Sequence, residues 1–204
     1  MSAAAGNPVT AHPRSEQLLA QLAEEFPAFR IVPKRGNQFS RAIDVALKLI
    51  TLGSQRRYLT HYHTVIGYTL YVPPVWEEMS DVARVILLRH ERVHLRQRRR
   101  YGFLLFAFLY LVPFLPLGLA YGRARLEWEA YQETLRATVE LRGFAALADG
   151  QLQDEIVRRF VGGDYGWMWP FPAHIRSWIE AWLQELRRTD AEHAPSDAGP
   201  AGSP

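Results

Sequence analysis

The chain predicts a mainly helical α+β domain with a small antiparallel sheet, and three observations lead there. Apolar residues recur at helical spacing in several separate stretches. One stretch, residues 57–72 (RYLTHYHTVIGYTLYV), is instead rich in aromatic and β-branched types. Gly and Pro fall between these stretches, where chain direction has to change.

Taken in order, Ser15 is placed to cap a first helix that carries Leu18, Leu19, Leu22 and Phe26 on one face and stops at Pro27. A second helix spans about 40–52, with Ala42, Ile43, Ala46, Leu47 and Ile50 at helical spacing. Residues 57–72 then read as one bent strand or two short ones, with Gly67 as bulge or turn and Pro73 and Pro74 as the stop. Ser80 caps a third helix running from Asp81 to about Arg100. Further helices are expected at about 123–147, 151–160 and 173–188, with an aromatic loop, GGDYGWMWPFP, at 162–172.

The 204 residues suffice for one compact domain, read as 15–188 between disordered tails at 1–14 and 189–204. The net charge is +3, which does not mark a dedicated nucleic-acid binder, so no nucleic-acid partner is expected. There are no cysteines, so disulfides and thiolate metal sites are excluded and any metal must use His, Asp or Glu. The first residues lack the apolar core of a secretory signal, which predicts a cytoplasmic protein.

The chemistry-bearing pattern is His90-Glu91-Arg92-Val93-His94, inside the third helix. Residues i and i+4 share a helix face, so both imidazoles can reach one metal ion, and zinc accepts imidazole nitrogen readily. Glu91 stands about 100° round the helix, beside such an ion and in place to act as general base toward water. A third ligand has to come from another element, and the next helix, with Glu127-Trp128-Glu129-Ala130-Tyr131, offers Glu127, Glu129 and Glu133.

His-Glu-x-x-His followed by Glu-x-x-Ala resembles the gluzincins. It is most similar to minimal bacterial zinc-peptidase-like domains and, distantly, to the CAAX-processing zinc peptidases. The resemblance covers about 57–133. It implies a zincin-like metallopeptidase fold, Zn2+ as cofactor, a peptide or protein substrate, and Glu127 as third ligand beside His90 and His94. It also implies peptide-bond hydrolysis with Glu91 as general base; the alternative is a non-catalytic zinc-stabilised binding or membrane-surface module. Two positions depart from the family pattern: Tyr131 stands where Asp is common, and Arg92 where an uncharged residue is usual. In such folds a strand lies over the cleft, and 64–72 is expected either to pair with extended substrate or to cover the core as an edge.

Between the metal-site residues lies an uncharged run, FLLFAFLYLVPFLPLGLA, at 103–120. One crossing of a bilayer would separate His90 and His94 from Glu127 by about 30 Å. A shared ion therefore requires the run to turn back, and Pro113 and Pro116 break it into two halves. Such a hairpin either packs in the core or makes peripheral or re-entrant contact with a membrane. Arg96, Arg98, Arg99 and Arg100 flank it on one side and Arg123 and Arg125 on the other. In the aromatic loop and the start of the last helix, Tyr165 and His174 are candidate catalytic donors to an oxyanion. Trp167, Trp169 and Phe171 line a pocket or plug the core, and Trp178 and Trp182 are expected in the core. His61 and His63 alternate on one strand face and read as hydrogen-bonded or exposed.

Overall fold

The computed structural model describes residues 13–34, 63–111, 120–162 and 168–193. The helix expected at 40–52, His61, Tyr165, Trp167 and both prolines of the apolar run lie outside them. The chain divides into two compact units, 1–108 and 109–204. The class is mainly helical α+β.

In the first unit, α1 spans Arg14–Glu25 and buries Leu18 and Leu22. Its N-terminus differs from expectation. Ser15 lies inside the helix and makes no cap of its own. Instead, Asp81 accepts hydrogen bonds from the Arg14 and Ser15 backbone N–H groups (3.1 and 3.0 Å) and from the Ser15 hydroxyl (2.5 Å). A carboxylate is a stronger acceptor for helix N–H groups than a hydroxyl, so the distant residue takes the cap position. The hydrogen bond from the Ser15 hydroxyl, with those of the two backbone groups, holds the Asp81 carboxyl below its ordinary value.

The sheet contains β1 (Arg30–Pro33), β2 (Thr64–Ile66) and β3 (Thr69–Val72) in the order β1-β3-β2. The expected antiparallel sheet is only half right: β2 and β3 are antiparallel, but β1 runs parallel to β3. A tight turn makes β2–β3 a local hairpin, whereas β1 reaches β3 from more than 30 residues away and carries no alternating signature in its four residues, RIVP. Gly67 sits in the hairpin turn with φ of 68°, a conformation that disfavours any side chain. A Cβ there would lie 2.8 Å from Arg98 Nη1. Arg98 in turn covers the Tyr68 ring at 4.4 Å, which ties the hairpin to the next helix. The central place of β3 corrects part of one expectation. Flanked on both sides, 69–72 cannot accept an added substrate strand, while 64–66 of the same segment forms β2, an outer strand among the described residues.

After a 3-10 turn at Pro74–Glu78, helix α2 spans Asp81–Leu111. Ser80 receives the Ala83 N–H at its hydroxyl, as a cap should (3.3 Å). Helical geometry breaks at Gly102 (φ 71°, ψ 167°), which divides a 21-residue arm before it from an apolar arm after it. The helix end expected near Arg100 is thus a break, beyond which apolar residues resume the helix. Leu88 and Leu95 are fully buried on the first arm.

The second unit holds α3 (Tyr121–Arg142), a 3-10 turn at Phe144–Leu147, α4 (Gln151–Val161) and α5 (Pro172–His193). The last helix thus extends to His193, five residues beyond the expected end near 188. One cluster centred on Tyr131, Leu135, Ile156, Phe160, Met168 and Ile175 forms its core, with Trp178 and Trp182 packed partly buried against it.

Candidate metal centre

His90, Glu91, His94 and Gln97 occupy the first arm of α2. A helix repeats every 3.6 residues, so 90, 94 and 97 fall on one side. The two imidazole rings lie 5.0 Å apart, nearly edge to face, and their Nε2 atoms approach to 3.2 Å. His94 is buried. Its Nδ1 lies 3.0 Å from Gln97 Oε1. A carbonyl oxygen can only accept, so Nδ1 carries the proton and Nε2 carries the lone pair. Gln97 is itself 3% exposed, which fixes the amide and through it the ring. Sequence reading missed Gln97; its signal was the i+3 spacing from His94, which extends the pattern to His-Glu-x-x-His-x-x-Gln.

Glu91 is 7% exposed. Arg92 points away from the histidines, as its helical position predicts, and bonds Glu25 of α1 through Nε and Nη2 (2.6 and 2.5 Å). Arg96 joins the same carboxylate at 2.7 Å, and Arg99 stands 3.7 Å from it. The Arg96 hydrogen bond, then that of Arg92, hold the Glu25 carboxyl below its ordinary value.

In the second unit, Glu127 lies on α3 and is 2% exposed, between fully buried Ala124 and Ala130. Tyr131 turns into that unit's core, where its ring meets Phe160 at 5.7 Å. At position 131 the aromatic side chain thus serves packing. Of the alternative carboxylates, Glu133 accepts from Arg136 one turn on (3.1 Å).

His174 sits at the start of α5 in an aromatic group with Trp169 and Trp178. Trp169 Nε1–H donates to its Nδ1 at 3.0 Å, so the proton of neutral His174 is on Nε2. Phe171 and Tyr121 both stack on Trp169, at 5.2 Å. His63 meets Trp76 edge-on at 5.9 Å, a packing role.

No family model, curated protein or solved structure matches this chain.

Proposed function

We propose that the protein is a zinc-dependent hydrolase of zincin-like fold that cleaves peptide bonds, with His90, His94 and Glu127 as metal ligands and Glu91 as general base. The observation that carries this reading is the 3.2 Å approach of the two imidazole Nε2 atoms. Two nitrogens bound at the usual zinc distance with a tetrahedral angle lie about 3.3 Å apart, so the pair already has the edge length of such a site. The donor set suits zinc, being two imidazoles and a carboxylate. Glu127 contributes a nearly fully buried carboxylate.

When bound, zinc would polarise a carbonyl and lower the pKa of water at the site toward about 7. Glu91 takes the proton given up by the attacking water onto a carboxylate oxygen and passes it to the leaving amine. Gln97 holds His94 in the tautomer that presents Nε2. His174 enters the proposal as oxyanion donor through Nε2–H.

The test is metal stoichiometry joined to cleavage of a peptide library. Wild type should hold one equivalent of zinc, His90→Ala and Glu127→Ala should lose it, and Glu91→Gln should keep it while losing cleavage. Full zinc retention by His90→Ala would end the metal reading. Zinc binding with no cleavage by wild type would end the hydrolase reading and favour a zinc-stabilised binding module.

A further inference from the structure

Within the first unit, Arg92, Arg96 and Arg99 of α2 converge on one carboxylate, Glu25 of α1. Steps of four and three residues put the three arginines on one helix face. At 100° per residue they stand about 200°, 240° and 180° round the helix from His90, so their face lies opposite the candidate metal centre. The three contacts are unequal. Arg92 gives Nε and Nη2 to Glu25 Oε2 and is half-buried. Arg96 gives Nε to Oε1 at 2.7 Å and Nη2 to Oε2 at 3.2 Å, yet stays 53% exposed. Arg99 reaches Oε1 only at 3.7 Å, too long for a hydrogen bond, and is 58% exposed. Its guanidinium is held instead over the ring of buried Phe26, 5.1 Å from the centroid. Stacking fixes a guanidinium by its face and leaves the N–H donors at its edge to a ligand.

Charge decides what such a ligand is. Glu25 offsets one of three positive charges, so the cluster keeps a charge of +2. A carboxylate ligand would leave half of that uncompensated. A phosphate monoester carries about −1.5 to −2 at neutral pH and balances it. The planar fork of arginine also matches phosphate, with two N–H donors set for two oxygens. The wider field points the same way. Residues 1–108 hold 15 Lys and Arg against 8 Asp and Glu, whereas residues 109–204 hold 9 against 13. A net positive unit raises the local concentration of anions. Pinning α1 to α2 accounts for Arg92, which spends two donors on Glu25, but gives no use for Arg99, which makes no hydrogen bond to it.

We infer that Arg96 and Arg99, backed by Arg92, bind a phosphate monoester on the face of the first unit where α1 meets α2. Glu25 holds Arg92 and Arg96 in place, and the outer edges of Arg96 and Arg99 donate to the phosphate oxygens. The site requires no metal and stands independently of the hydrolase reading.

The test is isothermal titration calorimetry of the full chain with glycerol phosphate at low salt, in excess chelator so that phosphate held by a metal ion does not count. Acetate is the singly charged control. Glycerol phosphate should bind at least about tenfold more tightly than acetate, and binding should weaken as salt rises. Arg96→Gln/Arg99→Gln should lower the affinity about tenfold or more through lost charge-assisted hydrogen bonds, with far-UV circular dichroism unchanged. Both side chains are exposed, so loss of fold is not expected; Arg99→Gln alone, with a fall of about threefold or more, serves should the pair unfold the chain. Arg187→Gln/Arg188→Gln, an equal change of charge on exposed side chains of α5, should leave affinity within about twofold. Vesicles of phosphatidylcholine with and without phosphatidic acid, whose headgroup is itself a phosphate monoester, separate the sources. Sedimentation with phosphatidic acid that Arg96→Gln/Arg99→Gln abolishes marks a lipid ester, and calorimetric binding without sedimentation marks a soluble one; either supports the site. Three outcomes overturn the inference. Glycerol phosphate binds no better than acetate. The folded arginine variants bind as wild type does. Or the α5 control loses as much affinity, which makes general charge attraction the cause.

Discussion

Gln97 shows what a single residue adds to the candidate site. Two histidines at i and i+4 can approach one ion, but each ring has two nitrogens and two tautomers. The Gln97 amide oxygen, buried and 3.0 Å from His94 Nδ1, removes that ambiguity. Gln97→Ala should therefore weaken zinc binding about 10- to 100-fold, the usual effect of losing a group that orients a ligand. Competition against a chelator of known affinity measures it, and Gln97→Glu, which keeps an acceptor at the same place, should restore most of the loss. Wild-type affinity in Gln97→Ala would show that packing alone orients the ring. The His90, Glu91 and His94 pattern was legible in the sequence because helical spacing is local. Gln97 was equally local and was passed over because an amide carries no metal-binding signature of its own. The burial of Glu127 was not legible, because it depends on how α3 packs, and flanking alanines only hint at it.

At the scale of elements, most helices followed from apolar spacing, and the misses occur where partners are distant in sequence. Ser15 looked like a cap, yet Asp81, 66 residues on, caps α1. β1 has no pattern of its own and exists because β3 offers it an edge. Asp81→Ala should destabilise the chain by about 1 kcal/mol, the common cost of a lost helix cap, read by urea unfolding. A change under a few tenths would mean that water replaces the carboxylate. The same group gives a pH dependence. The folded-state carboxyls of Asp81 and Glu25 both lie below their ordinary values of 3.8 and 4.5. A lowered folded value means the unfolded chain binds protons more readily, so the stabilisation is complete above the ordinary range. It is lost as pH falls through the lowered values. Stability should thus rise as pH climbs through the lowered values and level off above the ordinary carboxylate range, and Asp81→Asn/Glu25→Gln should flatten that rise. An unchanged slope in the double variant would assign the acid sensitivity to other carboxylates.

For the molecule as a whole, the sequence already set a condition that local pattern could not resolve. An ion shared by His90, His94 and Glu127 requires the run 103–120 to return to the side it left. On the proposed zinc reading, linkage gives a consequence for stability. A ligand that binds only the folded chain stabilises it by about 2.7 kcal/mol at a hundredfold excess over its Kd. For a chain of this size that raises Tm by about 5–10 °C. Zinc added at that excess to metal-stripped protein should produce this shift in a calorimetric scan, and a chelator should reverse it. His94→Ala and Glu127→Ala should each abolish the shift. Glu91→Gln should retain it, because a general base takes protons from water and holds no ion. If Glu127→Ala keeps the full shift while His94→Ala loses it, the histidine pair binds metal with a third ligand other than Glu127, and the required return of the apolar run loses its reason.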